Sequence, residues 1–444
     1  MSRKKAEDRA VLRNLGDGLV LRRSTRADAK ALAEYNAAVL GPNDERLRGW
    51  IHDLMKGNHP TFGPGDFTFV EDTKTGGIVS SLNLISQRWS YAGIGFGVGR
   101  PEVVSTHPDY RKRGLVRAQF EAIHEWSAQR GKLMTAVTGI PYFYRQFGYE
   151  MTVELGGGKA CPIPNVPGLK RGQKEPYRVR RADEPDLPFM ARLYKESRKR
   201  YLLSSVRDRA MWCYDLNGRN RKSSEARELR IVETAAGRRI GLLVHPPRIS
   251  GDSMPAGVYE LKHGEPWLKA TPSVLRYLKK KGEVYAKKGK TTLRSITFRL
   301  GSEHPLYEMI PDKLVAVRKP YAWYVRVPDL PRFLRHISPV LEQRLAGSVL
   351  VGHTGEIKIS FYRDGLRLVF RKGRVTKVEP WAPTPGDGGH AGFPHLTFLQ
   401  LLFGHRTLDE LNNVFPDCGA HGDGVRALLT TLFPKQASSV WPVS

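Results

Sequence analysis

A basic tripeptide followed by a glycine is the segment of this sequence best suited to bind an anion. Arg111, Lys112 and Arg113 precede Gly114, and the apolar residues after them recur at helical spacing. The first amides of a helix have no partner inside the helix, and the helix dipole is positive at that end. Glycine lets a phosphate approach the main chain, and arginine adds charge-assisted donors. The sequence therefore predicts an anion-binding loop at the start of a helix.

A strand before this loop and a helix after it must hold the loop in place. Residues 103–106 have the composition of a strand, and His107, Pro108 and Asp109 end it. The helix is predicted to run to about Gly131. Its apolar face is formed by Leu115, Phe120, Ile123 and Trp126.

The strand, the motif Arg-x-x-Gly-x-small and the helix together resemble the acetyl-CoA pyrophosphate loop of the GNAT N-acetyltransferase superfamily. Tyr144, Gly148 and Tyr149, behind a strand pattern at 133–138, are similar to the element that closes the GNAT domain. Val116 departs from the family pattern, which has Gly or Ala at that position. The resemblance implies cofactor-binding roles for Arg111, Arg113, Gly114 and Val116 in the loop and for Val104 and Thr106 in the strand.

The resemblance also implies a reaction. An amine of a small molecule, peptide or protein would attack the thioester of acetyl-CoA, the co-substrate, and no metal is expected. An alkylammonium with a pKa of about 10.4 must first lose a proton. Tyr144 is expected to protonate the departing thiolate, although its aromatic neighbours leave a packing role open. No base stands out, and the acids nearest in sequence are Asp66, Glu71, Asp72 and Glu150.

A repeat predicts two similar α/β domains. Residues 19–28 read LVLRRSTRAD and residues 177–186 read YRVRRADEPD. Each is a short alternating strand that passes into an amphipathic helix, over residues 29–40 and 187–201. Residues 156–174 between the copies are rich in Gly and Pro, which is typical of a linker or an excursion between domains.

The last quarter of the chain has the pattern of a small α+β domain, with a helix over 332–346, three strand-like runs and further helices. The whole order resembles the enhanced-intracellular-survival type of acetyltransferase, whose tail is similar to a sterol carrier protein. Residues 398–411 and 428–434 carry that likeness, although two amphipathic helices of an ordinary domain would look the same.

The expected fold class is therefore α/β and α+β multidomain: two tandem GNAT-like mixed-sheet domains, then a small sterol-carrier-protein-like domain. The expected boundaries are 1–16 for an N-terminal extension, 17–158 for the catalytic domain, 175–328 for the second GNAT-like domain and 329–444 for the tail. The second copy shows no Arg-x-x-Gly-x-Gly/Ala loop at the expected place. It is therefore predicted to be non-catalytic.

The resembling family implies two further expectations. Its final α-carboxylate reaches the active site, which makes Ser444 a candidate catalytic group that accepts the proton of the amine. An α-carboxyl with a pKa of about 3.3–3.7 is a weak base unless desolvated. The ending Trp441–Ser444 also lacks the aromatic terminus associated with that family. The family forms trimers and hexamers, so a homo-oligomer is expected.

The net charge leaves a binding module open as the alternative. Lys and Arg total 72 against 44 Asp and Glu, a formal charge of +28. Such a surface attracts nucleic acid and other polyanions, so a GNAT-derived basic scaffold without catalysis is the competing interpretation. The basic clusters are spread along the chain without an aromatic–basic groove motif, which disfavours a specific nucleic-acid site.

Other classes of protein are disfavoured. The first residues are charged with no apolar stretch behind them, and no run approaches the ~20 apolar residues of a membrane helix. The three cysteines show no CxxC spacing, which suits a reducing cytoplasm, and the histidines of the C-terminal third lack metal-ligand spacing. A cytoplasmic protein with neither a metal nor a membrane partner is expected.

Overall fold

The computed structural model describes residues 10–41 and 44–441, which contain four main sheets and eleven α-helices. The elements up to residue 155 are β1 (Val11–Gly16), β2 (Leu19–Arg23), α1 (Ala29–Leu40), α2 (Glu45–Met55), β3 (Phe67–Asp72), β4 (Gly77–Tyr91), β5 (Ile94–Thr106), α3 (Leu115–Gln129), β6 (Met134–Thr138) and β7 (Glu150–Leu155). Those up to residue 326 are β8 (Gly158–Pro162), β9 (Tyr177–Arg181), α4 (Leu187–Arg198), β10 (Leu203–Ser205), α5 (Arg209–Cys213), β11 (Glu228–Thr234), β12 (Arg239–His245), β13 (Ser253–Ala256), β14 (Val258–Leu261), α6 (Trp267–Lys288), β15 (Ser295–Phe298), α7 (Pro305–Met309), β16 (Ala316–Arg318) and β17 (Tyr321–Arg326). The remaining elements are α8 (Leu330–Ala346), β18 (Gly355–Ser360), β19 (Gly365–Arg371), β20 (Arg374–Trp381), β21 (Ala391–Gly392), α9 (Phe398–Leu402), α10 (Leu408–Val414), β22 (Gly419–Ala420) and α11 (Asp423–Leu432).

The largest sheet has the order β1-β2-β3-β4-β5-β6-β17-β7, with β10 paired to β4. All neighbours are antiparallel except β5 and β6. Because side chains alternate along a strand, Phe69 packs with α1 and α2 while Val70 packs on the other face with the start of α3. The helix predicted over 29–40 is confirmed. Both faces of the sheet are covered, as an apolar mixed sheet requires.

The two sequence repeats begin in the same way in the structure. After β2, the amide of Thr25 donates to the Asp28 carboxylate at 2.8 Å, and α1 follows. After β9, the amide of Asp183 donates to the Asp186 carboxylate at 3.0 Å, and α4 follows. Each carboxylate binds an amide just ahead of the helix. The predicted pair of strand–turn–helix openings is therefore confirmed.

The two α/β units exchange a strand. In the first sheet, β17 lies between β6 and β7, although it is separated from them by more than 160 residues. In a sheet of the second unit, with the order β13-β15-β8-β16, β8 lies in the equivalent place between β15 and β16. The strand that follows β7 in the chain, β8, thus pairs in the second unit. The strand that follows β16, β17, pairs in the first. The segment 156–174, expected as a linker, contains one of these exchanged strands.

Two strands, β1 and β17, do not fit the expected domain boundaries. β1 is a sheet strand inside the segment 1–16, for which an extension was expected, and β17 belongs by pairing to the first sheet. The boundaries themselves remain predictions.

The C-terminal segment packs on the first sheet through α8. Phe333 of α8 meets Phe96 of β5 edge-to-face with ring centroids 5.3 Å apart, and Leu334 and Ile337 lie in the same core as Met134 of β6. Beyond α8, five strands form a sheet in the order β20-β19-β18-β21-β22. The expectation of a mixed α/β chain with several sheets is confirmed. In the part of the chain that the structure describes, no helix combines the length and apolarity needed to cross a bilayer.

A buried carboxylate on β14 makes the stability of the second unit dependent on pH. Glu260 is 1% exposed, and the guanidinium groups of Arg198 and Arg200 lie 2.8 and 2.5 Å from it. Burial alone would raise the pKa of Glu260, but His304 and the two arginines lower it to about 2. A carboxyl with a lowered folded-state pKa adds stability above its unfolded pKa and loses it as pH falls toward the folded value.

We expect Glu260→Gln to lower the free energy of unfolding at pH 7 by about 3–5 kcal/mol, because it leaves two arginines without their counter-ion. Urea unfolding at pH 7 and pH 3 measures this loss, which should be smaller at pH 3. Glu196→Gln, which removes an exposed pair with Lys199, is the control and should cost less than about 1 kcal/mol. An equal loss for Glu260→Gln at both pH values would contradict the ionic explanation.

Candidate functional site

The first sheet opens between β5 and β6. The two strands pair only at Val98–Met134 and Gly99–Thr135, and β5 then continues to Thr106 against β4 alone. Val103 interrupts that pairing with a bulge and has φ 53°, a conformation that a β-branched residue rarely adopts. Among the described residues no strand pairs with the other edge of β5 after Gly99. An extended ligand can hydrogen-bond to such an edge.

Val104 and Thr106, predicted from the sequence to bind the cofactor, both lie on this free part of β5 and are partly exposed. The predicted strand is therefore present, and its main chain is available on the side of the opening. We call this opening the β5–β6 wedge.

The loop from His107 to Gly114 lies at the end of the wedge and is open to solvent. Arg111, Arg113 and Gly114 are exposed, and Val116 is partly exposed. Gly114 has φ 74°, and a Cβ added there would meet nothing within 4 Å. The amide of Ala118 donates to the Gly114 carbonyl at 3.1 Å, so the amides before it lie in the first turn, where the helix supplies no acceptor. The predicted helix start at Leu115 is confirmed.

Neighbouring side chains fix this loop. The Tyr110 hydroxyl donates to the Asp72 carboxylate at 2.7 Å, and this hydrogen bond lowers the pKa of Asp72. The guanidinium of Arg113 lies 5.4 Å from the centre of the Tyr110 ring and 4.0 Å from Asp17. The position of Arg113 is therefore set by an aromatic ring and a distant carboxylate, and its charge remains beside the open amides.

Tyr144 lies in a short 3-10 helix, Phe143–Phe147, and is 5% exposed. Its ring packs against Gly139, where a Cβ would lie 3.0 Å from the Tyr144 hydroxyl oxygen. Gly139 directly follows β6, so the hydroxyl lies close to the strand end that borders the wedge. Burial raises the pKa of Tyr144, which keeps the hydroxyl protonated at neutral pH and able to donate. Tyr144 also contacts Phe120 at a centroid distance of 5.8 Å, so it packs as well.

The exchanged strand β17 holds the loop that carries Tyr144. The Tyr321 hydroxyl donates to the carbonyl of Gly139, and the amide of Tyr142 donates to the Tyr324 hydroxyl at 3.2 Å. Tyr142 has φ 61°, an unusual conformation that this hydrogen bond helps to maintain. A strand from the end of the second unit therefore supports the candidate catalytic loop of the first.

A buried ion pair lies where the two strands separate. Arg100 is 0% exposed, pairs with Glu102, and lies 4.9 Å from the centre of the Trp323 ring. Burial raises the pKa of Glu102, and the charge of Arg100 opposes this effect. The charge of Glu102 also raises the pKa of Tyr144. A carboxylate with a raised pKa beside a protonated tyrosine is a candidate proton acceptor.

Sequence reasoning missed Glu102. The acids it considered are engaged elsewhere: Asp66 with Arg130, Glu71 with Arg22, Asp72 with Tyr110, and Glu150 with Arg145. The available signal was the spacing of Arg100 and Glu102, because residues two apart in a strand share a face. Two opposite charges on one face of an otherwise apolar strand indicate a buried ion pair.

Ser444 lies outside the described residues. Trp441, three residues earlier, lines a cavity of about 480 Å³ together with Tyr321 and Glu225. Three residues span at most about 11 Å when extended. In the described residues, no group of three His, Cys, Asp or Glu side chains could hold a metal ion.

The second unit has no equivalent of the open loop. Its helix α6 begins at Trp267, directly after Glu265 and Pro266. Glu265 pairs with Arg238 and would repel an anion at this helix start. Trp267, the first residue of α6, packs edge-to-face on Tyr259 of β14 with centroids 5.0 Å apart, whereas the start of α3 is open to solvent. These contacts support the prediction that the second unit is non-catalytic.

Comparison with known proteins agrees with this geometry. Residues 20–152 match the family model described as an acetyltransferase (GNAT) domain. This part of the chain is therefore similar to a GNAT acetyltransferase domain, and the match ends just after the Tyr144 motif. A search of curated proteins by sequence found no match.

Solved structures share the fold over nearly the whole chain. A conserved protein of Enterococcus faecalis V583, described as a probable N-acyltransferase, has a TM-score of 0.64 at 15% identity and covers 95% of this chain and 97% of its own. A GCN5-related N-acetyltransferase from Kribbella flavida has a TM-score of 0.62 at 16% identity, covering 96% and 99%. Eis1 from Mycobacterium abscessus has a TM-score of 0.59 at 13% identity, covering 95% and 99%. At these identities the likeness establishes the fold.

Proposed function

We propose that this protein is an N-acetyltransferase that transfers the acetyl group of acetyl-CoA to an amine. The observation that carries the proposal is that three features border the β5–β6 wedge: the open helix start of α3, the unpaired edge of β5 and, next to the end of β6, the Tyr144 hydroxyl. The matched GNAT model spans all three. The residues fit the co-substrate, because Gly114 leaves open space before the amides and Arg113 adds positive charge there.

Each part of the site has a binding role in this proposal. The amides of the loop, with Arg111 and Arg113, bind the pyrophosphate, and Val116 contributes its main-chain N–H from the first turn of α3. Val104 and Thr106 pair through their main chain with the pantetheine arm. This pairing directs the thioester into the wedge, toward Tyr144.

The chemical step then needs one proton acceptor and one donor. The nitrogen of the acceptor amine bonds to the acetyl carbon while the carbon–sulfur bond breaks. The ammonium first loses one proton to solvent, and Glu102 takes a second from the nitrogen as the carbon–nitrogen bond forms and later releases it to solvent. Tyr144 gives its proton to the departing sulfur and regains one from solvent. A terminal carboxylate at Ser444 is the second candidate acceptor, because Trp441 lines a cavity together with Tyr321, which donates a hydrogen bond to Gly139 next to Tyr144.

Two measurements test this function on the full chain. Isothermal titration should give a micromolar Kd for acetyl-CoA, or about −8 kcal/mol. Thiol release should then be followed with polyamines, aminoglycosides and basic peptides. Absence of heat with acetyl-CoA and with longer acyl-CoAs would rule the proposal out.

Glu102→Gln tests the proton acceptor. We expect kcat to fall about 10²-fold, because general-base catalysis by a positioned side chain contributes roughly 10²–10⁴. The wild-type rate should rise with pH through the raised pKa of Glu102, since only the ionised carboxylate accepts a proton, and the variant should lose that rise. The acetyl-CoA affinity of the variant controls for folding. An unchanged pH profile would transfer the role to Ser444 or to water.

We also propose that residues 329–444 form a sterol-carrier-protein-like domain and that the protein is a homo-oligomer. The five-stranded sheet beside α8–α11 supports the first statement. Mass spectrometry of a bound lipid and light scattering test the two statements separately.

A further inference from the structure

The cavity that contains Trp441 lies between the two α/β units. Its lining includes Leu155 and Tyr321 of the first sheet and Gly257 and Arg299 of the second unit. Its volume of about 480 Å³ lies in the range of small-molecule sites. We call it the central cavity.

The central cavity adjoins the proposed catalytic residues at two points. Tyr321 lines it and donates a hydrogen bond to Gly139, against which Tyr144 packs. Glu225 also lines it, and its charge acts on both members of the Arg100–Glu102 pair. An acceptor held in the central cavity is therefore close to the wedge.

Cationic side chains outnumber carboxylates on the walls. The lining contains Arg227, Arg248, Arg299 and Lys319 against Glu154 and Glu225. Glu154 lies on β7 opposite Ala322 of β17, next to the pair of Tyr321 and Leu155, and so belongs to the catalytic side. Arg248 and Arg299 follow β12 and β15 of the second unit. Glu225 belongs to the second unit, where its carboxylate lies 2.9 Å from the guanidinium of Arg227. Acidic and basic side chains are therefore mixed along the lining, with the cations in excess.

Two of these cations have no carboxylate partner among the described residues. Arg248 donates to the carbonyl oxygens of Ser223, at 3.1 Å, and Ser224. Lys319 is exposed and forms no ion pair with a carboxylate in the part of the chain that the structure describes. Bonds to carbonyls position a guanidinium but leave its charge uncompensated. Both side chains can therefore pair with an anion that enters the central cavity.

Arg227 adds positive charge to the same lining. It shares the buried carboxylate of Asp215 with Arg207 and Arg219. Burial, and then the charge of Arg219, lower the pKa of Arg227 to about 10, so it remains charged at neutral pH. Its guanidinium also lies 2.9 Å from the carboxylate of Glu225, so Arg248 and Lys319 are the cations that an entering anion can pair with.

We propose that the acceptor is an amine that carries an anionic group, a carboxylate or a phosphate. Arg248 and Lys319 bind the anion, and the amine extends past Glu225 and Tyr321 toward the thioester. This inference rests on the proposed function and narrows its acceptor to one chemical class. Spermidine-like or aminoglycoside acceptors would bring several positive charges to a lining in which cationic side chains outnumber carboxylates.

Matched pairs of amines test the inference by thiol release from acetyl-CoA. The carboxylate arm compares 4-aminobutanoate with 4-aminobutanamide, and the phosphate arm compares glucosamine 6-phosphate with glucosamine. Spermidine serves as the polycation. We expect kcat/KM to be about tenfold or more higher for the anionic member of at least one pair, since a charge-assisted contact is worth roughly 1.5–3 kcal/mol.

Lys319→Glu should remove this preference while leaving the Kd of acetyl-CoA unchanged. Lys319 is exposed, so the substitution leaves the core intact, whereas Arg248→Gln also removes bonds to two carbonyls and serves as the second variant. The control is Lys262→Glu, an equal change of charge at another exposed lysine of the second unit, away from the central cavity.

The outcomes separate the two proposals. If acetyl-CoA binds and spermidine or glucosamine reacts best, the acetyltransferase stands and the anionic acceptor is refuted. The inference is equally refuted if neither member of any pair reacts, or if the preference persists in both Lys319→Glu and Arg248→Gln. Absence of acetyl-CoA binding refutes the proposed function itself.

Discussion

Replacement of Tyr144 by phenylalanine is expected to lower kcat by about 10²–10⁴-fold, the range for loss of a positioned general acid. The hydroxyl is buried against Gly139, and its raised pKa keeps it protonated. Phenylalanine retains the ring contacts with Phe120 and Tyr324, so the loop should keep its conformation. The Kd of acetyl-CoA should therefore change little. Steady-state thiol release and titration calorimetry measure the two quantities.

Tyr142→Phe is the matched control. Tyr142 is in the same loop but 74% exposed, and its hydrogen bond to Tyr324 comes from the main chain, which phenylalanine keeps. Its kcat should remain at the wild-type value. Equal activity of the Tyr144→Phe protein and the wild type would mean that Tyr144 only packs.

Replacement of Gly114 by glutamate is expected to abolish detectable acetyl-CoA binding, a loss of at least about 10²-fold in Kd. The new carboxylate would lie before the amides at the start of α3, where the pyrophosphate is proposed to bind, and two anions would compete for one set of donors. Calorimetry and protection against thermal unfolding by acetyl-CoA both report the loss. Unchanged affinity would remove the loop from the binding site.

Two variants separate charge from backbone strain in that experiment. Gly114→Ala adds a side chain at φ 74° with nothing within 4 Å, so it costs only the strain of about 1 kcal/mol. Gly131→Glu places the same carboxylate at φ 65° beyond the other end of α3, again in open space. Both should bind acetyl-CoA far better than Gly114→Glu.

The sequence predicted best those features that depend on residues close together in the chain. Helical spacing predicted α1, and the Arg-x-x-Gly motif predicted the loop before Leu115, because each depends on residues a few positions apart. Glu102 was missed because its environment is made by strands from distant parts of the chain. Its partner Arg100 packs on Trp323, more than 200 residues later.

The composition of residues 156–174 does not reveal the strand that this segment contains. The glycines there suggested a linker, but Gly158 begins the exchanged strand β8, where a Cβ would lie 1.8 Å from the carbonyl oxygen of Phe298. Glycine is required at that point by a close approach of two main chains. Local patterns carry no information about a partner strand that lies so far along the chain, so the exchange could not be predicted.

The exchange of β8 and β17 has a consequence for how the chain reaches its active form. During synthesis, β6 and β7 leave the ribosome long before residues 321–326 are made, and until then no strand can join them. The support of the Gly139–Tyr142 loop by Tyr321 and Tyr324 is likewise absent in the nascent protein. Contacts of such long sequence separation form late in folding. On the proposed function, the surroundings of Tyr144 are therefore complete only when translation of the second unit is nearly finished.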